Sequence, residues 1–361
     1  MESQNVYRSK TILKFAGAFI AWVIGSGFAT GQEVLQFFTS YGYLSYGVVL
    51  LNLIGFIFLG QVLLITGYEH KAEKSFNQFK FFCGEKVGTF YSWLIPITLV
   101  LVMPVLISGA GATLSEYYGI NHYIGSALMA GMVLCAYLIG FERLIKIVST
   151  IGPVIILFSL MVGTVSVIRD FDHFVTVSNS EGLLRESQSS PHWALSSILY
   201  LSLNFLSGST YFTELGKSSG HRNDAKYGAL LGATALVLSI AIMNTAILLN
   251  AENTAVLAIP VLFLAKEISY SIGAVFSIVL ILGMFSSCSA MMWSVCNRFT
   301  WGGKQGNRLF AIFVAIFIFV LGLFSFSDLL GVFYPLVGYM GLLYIGCVIY
   351  KGIKHQFETR R

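Results

Sequence analysis

Charge is scarce in this chain: Asp, Glu, Lys and Arg make up only 11% of its 361 residues, while 56% are hydrophobic. That excludes an ordinary soluble domain, in which about a quarter of the residues are charged. Cysteine is thinly used as well. Cys83, Cys135, Cys288, Cys296 and Cys347 are scattered, with neither metal-ligand spacing nor a disulfide framework. They read as small core residues. Catalytic signatures are missing: there is no HExxH pair, no nucleophile elbow and no paired His/Cys set, and the six histidines fall mostly in loops or at segment ends. No enzymatic activity and no cofactor are expected. The net charge of +5 is spread over loops and forms no basic patch, so no nucleic-acid partner is expected either. No polar segment is long enough to be a soluble signalling domain.

What the chain does have is apolar blocks of about 18–25 residues, the length that crosses a hydrocarbon core. It therefore reads as an all-α, multi-pass membrane protein whose partners are the lipid bilayer and a small-molecule substrate. Ten spans are expected, at 11–40, 44–68, 87–117, 122–140, 144–168, 192–215, 227–250, 271–297, 308–326 and 329–350. Arg8, Lys10 and Lys14 ahead of the first block mimic a signal peptide. The block lacks a small-residue cleavage site and runs on into a glycine motif, so it is expected to be retained. The segment "NTAVLAIPVLFLAKEIS" between spans seven and eight, with Pro260 and Lys266, is expected to form an amphipathic surface helix. With both termini on the cytoplasmic side of the cell membrane, nineteen of the twenty-two Lys and Arg fall inside and only Arg169, Arg185 and Lys266 outside. That asymmetry fits the positive-inside rule and supports the parity of every segment.

Ten spans divide as five plus five. An odd number per half inserts the halves in opposite senses, so an inverted repeat is expected: 11–168 as the first unit, 169–191 as an extracytoplasmic loop, and 192–351 as the second unit. Spans one and six then correspond. Span one carries Ser26-Gly27, five residues, then Glu33; span six carries Ser207-Gly208, five residues, then Glu214. Each glycine in a helix interior costs about 1 kcal/mol relative to alanine. Gly25, Gly27 and Gly31 therefore make unwinding cheap, and both spans are expected to break near the midplane. Freed backbone groups in a membrane must face a polar cavity, a ligand or an ion. Glu33 and Glu214 follow the breaks by one turn, where each either caps a half-helix or carries a coupling proton. The expectation of a carrier rests on both interruptions.

The stretch "GAFIAWVIGSGFATGQEVLQFF", Gly17 to Phe38, resembles the YkvI-like group of bacterial membrane proteins. Its Ile24-Gly25-Ser26-Gly27-Phe28 resembles the "GSG" signature of the amino acid–polyamine–organocation (APC) transporter superfamily, which has the LeuT-type fold. The resemblance implies amino acid transport as a secondary symporter, with the amides of Ser26 and Gly27 holding a substrate carboxylate. It also implies a sodium site. "LGMFSSCSAMM", Leu282 to Met292, resembles the segment whose hydroxyls join span-one carbonyls around Na+. Aligned on Gly283, the pattern sets Phe285 at one hydroxyl position. A one-residue shift restores two hydroxyls, Ser286 and Ser287, with carbonyls from Ala21 and Ile24. Beside the breaks lie Thr30, Ser207, Gly208 and Ser209, and Phe205 and Tyr211 flank the span-six break where they could close over a ligand. The alternative for such aromatics is core packing. "ISGAGA", 107–112, reads as close helix packing, and Asn52 and Asn244 as interhelical hydrogen-bonding residues. The functional expectation is a secondary active transporter of an amino acid or related zwitterion, working by alternating access and coupled to Na+ or H+. The alternative is a non-transporting sensor on the same scaffold.

Overall fold

Glycines decide the shape of the first span. In the computed structural model, which describes residues 2–73, 75–139, 142–174, 181–299 and 303–358, helix α1 (Glu2–Val23) stops at Ile24-Gly25. There the Gly25 N–H folds back to the Val23 carbonyl at 2.9 Å. One short helix, α2 (Ser26–Thr30), follows. Gly31 then adopts φ +84°, and α3 (Gln32–Phe37) resumes in a new direction. Gly31 is required on two counts: its φ is one that L side chains rarely adopt, and a Cβ there would stand 2.6 Å from Val261 Cγ2. The first span is therefore interrupted twice.

After a 3₁₀ turn (Thr39–Leu44), the chain runs through α4 (Ser45–Glu69), α5 (Gln78–Tyr118), α6 (His122–Ile139) and α7 (Glu142–Arg169). The outer loop carries the short α8 (Glu181–Glu186). The second half comprises α9 (Trp193–Lys217), α10 (Arg222–Leu249), the short α11 (Ala251–Thr254) and α12 (Pro260–Ile268), then α13 (Tyr270–Arg298), α14 (Gly303–Leu321) and α15 (Phe326–Glu358). Local chemistry sets the ends. The Asn77 side chain accepts from the Lys80 amide at 3.1 Å and starts α5, His192 Nδ1 caps α9 through the Ala194 amide, and Pro260 opens α12. α5 starts nine residues earlier than the span expected at 87–117, and Gly84 at φ +79° sets its first turn apart from the rest. The segment expected to lie as a surface helix is α12, whose Val261, Leu264 and Ala265 are fully buried against the bundle.

The fold is all-helical, and no strand occurs among the described residues. Among the described residues, seven helices, α4–α7, α10, α13 and α15, are long and apolar enough to cross a membrane. The other expected spans coincide with α1–α3, α9 and the shorter α14. α1 lies on α10, and α9 is an interior helix between α4 and α15. Protein rather than lipid surrounds α9, so it can carry Ser196, Ser197, Ser202, Asn204, Ser207 and Ser209.

The expectation that span six breaks is overturned. α9 runs as one continuous helix from Trp193 to Lys217. The second motif has one glycine where the first has three, and two of its hydroxyls bond back to their own helix: Ser207 Oγ donates to the Leu203 carbonyl at 2.7 Å and Thr213 Oγ1 to the Ser209 carbonyl at 2.8 Å. Gly208 serves close approach instead, because a Cβ there would collide with the Trp22 indole of α1. The readings of packing residues hold. Asn52 Nδ2 donates to Ser197 Oγ at 3.0 Å, and Asn244 bridges Ser45 and Thr39. Gly109 and Gly111 abut Phe326 and Ser126.

α4 and α9 meet backbone to backbone. A Cβ on Gly67 would strike the Thr213 carbonyl, and one on Gly216 the Leu64 carbonyl. A backbone atom cannot swing aside, so Gly67→Ala and Gly216→Ala should each lower stability by about 1–3 kcal/mol. The double variant should lose less than the sum, since both changes force the same two helices apart. Thermal unfolding of the purified variants checks this, and unchanged midpoints would overturn it.

Candidate functional site

The break after α1 opens onto a cavity of about 390 Å³, walled by α1, α2, α3, α5, α9, α13 and α15. Its polar groups include Glu33, Thr98, Asn204, Ser207, Ser286 and Ser287, with Tyr334 above them. Trp22, Leu99, Val102, Leu203 and Met291 supply the apolar wall. Ala21 and Ser294, both exposed, lie at the mouth. Among the described residues, no Lys or Arg lines it.

Glu33 is the centre of this geometry. It sits in the first turn of α3 and is 6% exposed. One carboxylate oxygen, Oε2, lies where Gly27 has no side chain: a Cβ on Gly27 would be 2.5 Å from it and 3.0 Å from the Tyr334 hydroxyl. The buried Tyr200 hydroxyl faces the carboxylate. Glu33 forms no salt bridge among those residues. A carboxylate in such a place favours a cation, an amine or its own proton.

The break also frees backbone. The Gly25 N–H goes to Val23 rather than to Ala21, so the Ala21 carbonyl is left without its helical donor. α2 begins at Ser26, which leaves the Ile24 carbonyl equally free and the Gly27 and Phe28 amides without helical acceptors. The Ser26 side chain lies outside the described set. Ser286 and Ser287 of α13 line the same cavity as Ala21, while Ile24 is buried just behind it. Released carbonyls and hydroxyls are hard oxygen donors of the kind Na+ accepts. No group of three or more His, Cys, Asp or Glu gathers among the described residues.

The remaining expected site residues divide clearly. Gly27, Glu33, Ser207, Ser286, Ser287 and Ala21 come together at the cavity. Thr30 does not reach it: its hydroxyl donates to the Gly27 carbonyl at 2.7 Å and ties the two ends of α2 together. Phe205 is in the core, its ring 5.2 Å from Phe56 and 5.4 Å from Phe212. Ser209 bonds the Tyr344 hydroxyl. Tyr211 stacks on Trp22 at 4.8 Å and donates to the Ala18 carbonyl at 3.0 Å, so it braces the wall from behind. Gly208 seats Trp22. Glu214 is on an exposed turn, accepting from Lys217 Nζ at 2.7 Å. Asn204, Tyr334, Trp22 and Met291 are cavity residues that the motif search passed over. Asn204 had a signal, a carboxamide one turn before Ser207. Tyr334 is one of eighteen tyrosines and had none.

One end of the cavity is sealed. Every residue of α3 is buried. Gln36 Nε2 donates to the Ser327 carbonyl at 2.9 Å, Ser196 Oγ to the Phe37 carbonyl at 2.7 Å, and Tyr41 to the Ser190 carbonyl at 2.6 Å. α12 packs across Gly31.

An interrupted first helix, a polar cavity beside it and a surrounding helical bundle define a membrane fold of the kind found in a solved transporter. Two variants of the Eremococcus coleocola manganese transporter superpose with TM-scores of 0.53 and 0.51, at 12% and 10% identity, each comparison covering 92% of this chain and 76% of that one. In sequence, the chain is similar to the uncharacterized membrane protein YkvI of Bacillus subtilis, 25% identical over 345 residues that cover 94% of this chain and 95% of the other. It is also similar to YyaD of the same organism, 22% identical over 337 residues that cover 93% and 96%. No family model matches the chain.

Proposed function

We propose that the protein is a secondary active transporter of an amino acid or related small zwitterion, working by alternating access around the interrupted first span and coupled to Na+ or H+. The observation that carries this reading is the cavity at the first break, where a buried carboxylate without a salt bridge among the described residues, freed peptide groups and hydroxyls face one another. The substrate carboxylate belongs at the Ser26 and Gly27 amides, in the first turn of α2. Its amine belongs near Glu33, Asn204 and Ser207. Of the two interruptions on which the carrier was expected to rest, only the first remains: α9 is continuous, so the second half contributes side chains rather than open carbonyls, and the moving element is the α1–α3 segment. The thick closure at α3 and α12, against exposed Ala21 and Ser294 at the mouth, supports a state open on the side that holds the chain termini. The charge distribution makes that side cytoplasmic.

Helix packing supports the inverted repeat of ten spans. Exchanging the halves maps α1 on α10 to α9 on α4, and α5 on α15 to α13 on α7; all four contacts occur. α4 on α10 and α5 on α13, which map to themselves, occur too.

Reconstituted vesicles test the function. Labelled amino acids should accumulate when a Na+ or proton gradient is imposed, and accumulation should collapse when the coupling gradient is dissipated. Binding without flux would replace the carrier by a sensor. Neither binding nor flux across a broad screen of amino acids would sink the substrate class.

A further inference from the structure

Far from the span-one cavity, the helix ends nearest the chain's C-terminus enclose a second hollow of about 380 Å³. The end of α4, the first turn of α5, the start of α10 and the end of α15 form it. Three cationic side chains, Arg222, Lys351 and Lys354, line it against one carboxylate, Glu69. Arg222 Nε donates to Glu69 Oε1 at 3.1 Å, and both side chains stay partly exposed. Lys351 Nζ donates to the Phe81 carbonyl and lies 4.0 Å above the Phe81 ring. An ammonium has three donors, so that bond leaves two for a ligand. Val62 and Ile65 of α4, with Phe81 and Phe82 of α5, give the hollow an apolar part beside its polar lining residues Gln61, Thr66 and His70. Val62 closes against Gly352 of α15, where a Cβ would stand 2.6 Å from Val62 Cγ2, so glycine at 352 lets α4 and α15 approach closely beside the cations.

We propose that this hollow binds the phosphate of an anionic phospholipid, with the headgroup on Arg222, Lys351 and Lys354 and an acyl chain along Val62 and Ile65. Basic pockets between membrane helices near the bilayer surface hold such headgroups, each cation contributing a similar increment. Arg guanidinium and Lys ammonium both bond phosphate oxygens strongly. Glu69 opposes the ligand by neutralising Arg222. A free phosphate shares the headgroup chemistry but gains nothing from the apolar part.

The test uses the intact protein in nanodiscs of phosphatidylcholine, with and without phosphatidylglycerol, read by lipid retention in native mass spectrometry and by the unfolding midpoint. Phosphatidylglycerol should be retained and should raise the midpoint. Lys351→Gln with Lys354→Gln should weaken retention about thirty-fold, whereas Glu69→Gln should strengthen it. Opposite signs from the two variants separate a binding site from mere structural damage, and if the double variant does not fold, Glu69→Gln decides alone. Inorganic phosphate or glycerol phosphate, added to protein in detergent, should shift the midpoint little. An equal shift from either would make this a soluble-phosphate site and overturn the lipid. So would retention of phosphatidylglycerol that is indifferent to Glu69→Gln.

Discussion

Glu33→Gln should abolish the response to amine-bearing ligands while making the ligand-free protein more stable. The two effects have one cause. Glu33 is buried, faces Tyr200 and Tyr334, and has no salt bridge among the described residues. Burying an ionised carboxylate without a partner is costly, and such costs persist where function uses them. The amide keeps the shape and removes the charge, so stability should rise by about 1–2 kcal/mol. The same change leaves a ligand's ammonium buried without its counterion, which costs about 2–5 kcal/mol, or roughly thirty-fold and upward in affinity. A thermal-shift screen against amino acids, with Na+ present and replaced, reads both effects. A glutamine variant that still responds to the same ligands would move the cargo away from Glu33. Loss of response together with a lowered ligand-free midpoint would mean that Glu33 is a structural cap. Glu214 offers the internal contrast: it is exposed and paired with Lys217, so Glu214→Gln should change neither reading.

These effects concern one motif because the repeat that the sequence displays is not a repeat of conformation. Ser-Gly, five residues, then Glu occurs in both halves, yet only the first copy is broken. Spacing alone does not unwind a helix. Density of glycine does, together with something to receive the new backbone direction. Gly31 at positive φ under Val261 supplies that in the first half, and the second half has no counterpart. The positions of the seven long apolar helices were legible because hydrocarbon thickness fixes helix length. The serine-rich face of α9 is also readable in hindsight. What could not be read was which of the many aromatics point inward. Phe205 and Tyr334 are both aromatics within apolar helices, but one fills the core with Phe56 and Phe212 while the other lines the cavity. That difference arises from the rotation of α9 and α15 about their own axes, which one sequence does not encode locally. Ser286 and Ser287 were found by resemblance, since helix periodicity alone gives no reason to choose them among the serines of α13.

Gly27→Leu should eliminate ligand binding, and Gly25→Ala, two residues away, should leave it intact. Both glycines flank the same break, and both would be treated alike by any argument from helix propensity. Their surroundings differ. Gly25 adopts φ −99° and ψ −166°, an extended conformation open to any residue, and a Cβ on it would meet nothing within 4 Å. A Cβ on Gly27 would stand 2.5 Å from Glu33 Oε2 and 3.0 Å from the Tyr334 hydroxyl. Alanine at 27 must therefore displace the carboxylate that the cavity is built around, and leucine adds a branched side chain that occupies the site as well. The Glu33 carboxylate is the end of a flexible side chain, so it can yield and the fold should survive both substitutions. The ligand contact should not, with affinity falling about thirty-fold or more for leucine, as for loss of the Glu33 counterion itself. Isothermal binding of whichever amino acid stabilises the wild type, measured on all three variants, separates the possibilities. If Gly27→Leu binds normally, the cargo is not seated on the backbone between the two breaks. If Gly25→Ala loses binding as completely as Gly27→Leu, the break acts through its flexibility rather than through the space beside Glu33.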